Sequence, residues 1–151
     1  MSEQKDYYFE DFAVGMSWRS ERYTVSEEEM LEFARRYVPL SYHADPEAAK
    51  ASPYGGLISS GHLAAGIAFG LFVKTGVLDA AAQGSPGMNV RWVRPIRPGD
   101  TIYVIGHVKQ VSPAQKPGGK DAINLFLETF NQNDELVLTH DTLNFLRRRP
   151  L

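Results

Sequence analysis

The chain contains no cysteine. That excludes disulfides, thiolate metal centres and a cysteine nucleophile. It also lacks an excess of either charge: 16 Lys and Arg against 18 Asp and Glu leave a net −2. Such a balance gives no reason to expect nucleic acid or an anionic membrane surface as a partner. The one basic run, Arg147-Arg148-Arg149, stands at the C-terminus and reads as a solubilising tail. No Gly-x-Ser-x-Gly elbow occurs, so a serine-hydrolase nucleophile has no motif behind it. The polar Met1–Glu10 stretch has no apolar signal-peptide core, and no Asn-x-Ser/Thr sequon is present. A cytoplasmic location is the expectation.

Long hydrophobic runs are scarce too. Gly55–Val73 is free of Asp, Glu, Lys and Arg and approaches the length of a membrane span. Gly55, Gly56, Gly61, Gly66 and Gly70 interrupt it, as do Ser59, Ser60 and His62, so its apolarity is low. It reads as a loop followed by a buried helix, with no membrane partner. What remains is ordinary globular composition, 43% hydrophobic and 23% charged over 151 residues, and one domain is expected over 1–151.

Trp18–Thr24 has strand-forming residues with partial alternation. Ser26 with Glu29 three residues on is a capping-box pattern, and Glu27–Glu29 suit the positive end of a helix. Met30, Phe33, Ala34 and Tyr37 then make one apolar face. Pro39 ends the helix, because the residue before it, Val38, is pushed out of the helical region. Asp45-Pro46 opens a short helix to Lys50. From Gly61 to Thr75 the residues are apolar on every side, the mark of a buried helix. Four strand-like segments follow: Met88–Val93, Thr101–Val111, Ala122–Asn131 and Leu136–Leu146. Helices first and an antiparallel meander after them point to an α+β fold, a sheet around a helix.

The segment 33–65, FARRYVPLSYHADPEAAKASPYGGLISSGHLAA, resembles the active-site segment of MaoC-like dehydratases and (R)-specific enoyl-CoA hydratases. His43 matches the family histidine, Asp45-Pro46 the following D-P, and Gly61 the glycine that opens the central helix. The lead-in YFEDFAVG and the turn RPIRPGD are also similar to family segments. The resemblance implies a hot-dog fold, with an antiparallel sheet wrapped around a long central helix. It further implies reversible addition of water to a 2-enoyl-CoA and assembly as a homodimer or larger even oligomer. Coenzyme A enters only as part of the substrate, and no cofactor or metal is expected.

In that family an Asp stands five residues before the histidine; here the position holds Val38. The resemblance assigns acid–base work to His43 and an oxyanion hole to the backbone at Gly61. Such donors stabilise the enolate that develops on the thioester oxygen. Without the Asp, an acid–base group worth roughly 10²–10⁴-fold is missing. Two alternatives stay open. One is a non-catalytic acyl-CoA binder. The other is a thioesterase, against which stands the lack of any Asp or Glu between Glu47 and Asp79. Ser41, Tyr42 and Ser60 are candidates to order a water. Asp45 reads as a helix cap, and His62, His107 and His140 read as structural.

Overall fold

The computed structural model describes residues 5–151. Residues 1–4, the start of the polar N-terminal stretch, lie outside the described residues. A single 3-10 turn, Phe9–Asp11, precedes β1 (Ser17–Arg19) and β2 (Tyr23–Thr24). These were expected as one strand. The break falls at Ser20, whose Oγ accepts from Val104 N–H at 2.8 Å. A side chain takes over one rung of the ladder, and Glu21-Arg22 bulge out of it.

α1 (Glu27–Tyr37) starts as expected: Ser26 Oγ accepts from Glu29 N–H at 3.1 Å. The reciprocal arm of the capping box is absent, because the Glu29 carboxylate accepts from the Tyr23 hydroxyl at 2.6 Å instead. A short α2 (Ser41–Ala44), unforeseen in the sequence, precedes α3 (Pro46–Lys50). Asp45 caps α3 by accepting from Glu47 and Ala48 N–H at 3.0 and 3.3 Å. α4 (Gly61–Val73) follows. No helix among the described residues is long and apolar enough to cross a membrane.

The sheet adds β3 (Met88–Trp92), β4 (Thr101–Ser112), β5 (Ala122–Phe130) and β6 (Leu136–Phe145), in the order β1-β4-β5-β6-β3, with β2 also on β4. Every pairing is antiparallel. Only β4, β5 and β6 form the expected meander; β3 pairs with β6 rather than with its sequence neighbour β4. The proline-rich linker after β3 makes this possible. It crosses the start of α4, where Ser59 N–H donates to Ile96 O at 2.8 Å.

The inner face of the sheet is apolar, with Ile102, Val104, Ile123, Leu125, Leu127 and Leu138 fully buried. Full burial of such a side chain is worth about 1.5–3 kcal/mol. α4 turns Leu63, Ala64, Ala68, Leu71 and Phe72 onto that face. Phe72 presses on Gly106 of β4 so closely that a Cβ there would also stand 2.8 Å from Leu127. The helix is not buried all round, however. Ile67, Phe69 and Val73 are half-buried and Gly66 is exposed, since one sheet covers only one side.

The arginine run is no free tail. Arg147 donates to Ala80 O at 2.8 Å, Arg148 pairs with Asp121, and Arg149 pairs with Asp11. With Phe9 N–H donating to Arg147 O at 3.1 Å, the C-terminal residues clasp the lead-in segment.

Candidate active site

A cleft of about 520 Å³ opens at the N-terminal end of α4. Three segments build its walls: 38–43, 54–64 and, distant from both in sequence, 92–96. Val38, His43 and Gly61, singled out in the sequence, all line it. Val38 is the C-cap of α1, with its N–H on Ala34 O at 2.9 Å and a non-helical backbone ahead of Pro39. Among the described residues, no carboxylate lines the cleft.

His43 sits in α2 and is 7% exposed. Its Nδ1 lies 2.9 Å from Ile58 O. A carbonyl oxygen only accepts, so Nδ1 carries the hydrogen and Nε2 of the neutral ring keeps its lone pair. The same two stretches are stitched again by Ile58 N–H donating to Tyr42 O at 3.1 Å. The ring is thus anchored at one nitrogen and faces the cleft with no partner at the other.

At the start of α4, Ser60 caps the helix by accepting from Leu63 N–H at 3.1 Å. Ser60, considered above for ordering a water, is 1% exposed and does not line the cleft. The Gly61 and His62 N–H groups have no acceptor among the described residues. They are the unsatisfied donors of a helix start, at its partially positive end. Gly61 is not required by its backbone angle, which is ordinary. Its lack of a Cβ makes room for Trp92 where that ring now lies. The indole lies flat against it, and a Cβ would stand 2.7 Å from Trp92 Cε2. Trp92 Nε1–H also donates to Gly61 O at 3.1 Å.

Trp92 and Arg94 are among the cleft residues that escaped the sequence reading. Arg94 reaches Glu135 at 3.4 Å. His62 was read as structural, yet it is exposed at the cleft. Trp92 had no detectable signal, because it stands 31 residues from the glycine it covers. The other two histidines are elsewhere. His107 pairs with Glu128 at 3.2 Å on the outer sheet face. His140, on β6, is fully buried beside Phe69, with no hydrogen bond at either nitrogen. Burial pushes its pKa below the ordinary histidine value, partly offset by an Ala65 backbone contact that falls short of hydrogen-bond geometry.

Comparison with known proteins supplies the context for this cleft. The chain is 31% identical to the MaoC-like dehydratase of Rhodospirillum rubrum, whose crystal structure superposes with a TM-score of 0.89 over 96% of this chain and 99% of that one. The uncharacterised protein YdeM of Bacillus subtilis is 24% identical over 92% of this chain and 98% of its own length. The (R)-hydratase PhaJ1 of Pseudomonas aeruginosa, at 18% identity, shares the fold with a TM-score of 0.76 over 97% of this chain and 89% of that one. The fold is therefore the hot-dog fold expected from the sequence. A family model described as the MaoC like domain matches residues 11–123, and the chain belongs to that family.

Proposed function

We propose that the chain is a hydratase/dehydratase-type protein that binds 2-enoyl-CoA thioesters and whose water-adding activity is impaired by Val38. One observation carries this reading. An anchored histidine with a free Nε2 lines one cleft together with Gly61 and His62, whose helix-start N–H groups are free, and no carboxylate lines that cleft among the described residues. The N–H groups suit the thioester oxygen, on which charge develops as water adds at C3 and a proton at C2. His43 manages a proton in that step. Val38 occupies the place from which the family's Asp would activate the water. The missing carboxylate also favours the second reading, a non-catalytic acyl-CoA binder that keeps the groove without the chemistry.

The test is crotonyl-CoA hydration followed at the enoyl chromophore. The unmodified chain should be weak or inactive. Val38→Asp should raise the rate by about 10²-fold or more. A well-folded Val38→Asp protein that stays inactive would instead favour the binder.

Assembly belongs to the same proposal. β3 is the last strand of the sheet; it exposes Met88 and Trp92, and Val93 just beyond it is exposed as well. An unpaired apolar edge of this kind invites another strand. We expect a homodimer or larger even assembly, located in the cytoplasm. Light scattering at micromolar concentration that gives a lone 16.9 kDa species would overturn the assembly.

A further inference from the structure

We infer that Trp92 is a positioning residue for the thioester carbonyl, holding and polarising the Gly61–His62 peptide whose N–H serves the cleft. This rests on the acyl-thioester reading above. The Gly61 carbonyl and the His62 N–H belong to one planar unit, so fixing the oxygen fixes the direction of the N–H. Besides the helix's own i+4 donor, Trp92 Nε1–H reaches that oxygen at 3.1 Å and holds it from the cleft side. A donor on the carbonyl also makes the N–H of the same peptide a better donor, because hydrogen bonds in a chain strengthen one another.

The indole is itself held on a rigid element. Trp92 pairs with Leu138 of β6, and the next two N–H groups, of Val93 and Arg94, both donate to Val137 O at 2.8 and 3.0 Å. Gly61 gives the ring a flush seat that no other residue would leave. The same cleft is lined by His43, more than nine-tenths buried, whose Nε2 has no partner among the described residues. A carbonyl compound entering there meets both the histidine and the Trp92-held peptide.

The experiment compares two ligands by calorimetry on the full chain: crotonyl-CoA, and the thioether that lacks only its carbonyl oxygen. Trp92→Phe should weaken the thioester by about three- to tenfold, the worth of one hydrogen bond, and leave the thioether unchanged. Raman difference spectra give a second readout. Binding should lower the thioester carbonyl frequency, and Trp92→Phe should return it towards its solution value. Should Trp92→Phe fold poorly, benzothienylalanine at position 92 keeps the ring and removes only the N–H. Equal weakening of both ligands, or an unmoved carbonyl band, would reduce Trp92 to a wall and overturn the inference. If the unmodified chain binds the thioester no better than the thioether, the helix start is unused and the inference also fails. If it binds neither, the acyl-thioester reading fails first.

Discussion

His43 and His140 are both buried, at 7% and 0% exposure, yet they stand in opposite circumstances. His43 has one nitrogen on Ile58 O and the other open to a cleft. His140 has neither: it is sealed between β6 and the middle of α4, with Thr142 and Asn144 buried further along the same strand. Burial alone therefore does not make a histidine useful. A proton-carrying histidine needs one nitrogen fixed, to set the tautomer, and one free, to meet a substrate. His140 instead leaves unsatisfied polar atoms in the interior, which is a stability liability.

The sharpest test of this contrast uses the Val38→Asp background. There His43→Ala should remove about 10²-fold or more of the hydration rate. His140→Leu should leave kcat within about twofold. An equal loss from both would erase the distinction. Next in size is Gly61→Ala, which drives a methyl group into the Trp92 ring. Overpacking of this kind costs about 1–3 kcal/mol, read by denaturant unfolding, and adding Trp92→Leu should recover most of it.

His140 offers a smaller and pH-dependent effect. Its folded pKa lies below the unfolded one, so the unfolded chain takes up a proton that the folded chain refuses. Stability should be full above about pH 6.5 and fall as the pH drops below it towards the folded value. His140→Leu should flatten that acid limb and gain about 1 kcal/mol at neutral pH, where an unsatisfied polar ring is replaced by an apolar chain. A melting-temperature profile of the two proteins from pH 8 to pH 5 decides it. The smallest effect belongs to the C-terminal clasp. Asp11→Asn should change stability by less than about 1 kcal/mol, because its pairing with Arg149 is partly exposed.

Local rules made much of the fold legible. Ser26, Asp45 and Pro39 set helix limits through capping and proline sterics, and the strands of the β4–β6 meander fall within a residue or so of their expected ends. The limits of legibility are equally physical. The position of β3 beside β6 depends on a linker crossing α4, which no period in the sequence records. α2 is a single turn, too short to show a periodicity. At the site, motif spacing placed Val38, His43 and Gly61 together because their segments are near in sequence. Trp92 and Arg94 come from a strand end and the linker beyond it, and they reach the cleft only through tertiary packing.

Trp92 on Gly61 has a counterpart at the far end of α4, where Phe72 rests on Gly106. Helix and sheet exchange roles between the two: the strand supplies the ring at one end and the glycine at the other. For the mutational history of such a protein, this makes each pair a gate with a fixed order of passage. A glycine gains a side chain only once its ring has shrunk or, for the half-exposed Trp92, swung aside, whereas a ring can shrink first and leave only a gap. Homologous chains that carry alanine at position 61 or 106 should therefore carry a smaller residue opposite, and the two ends of the helix should drift independently of each other.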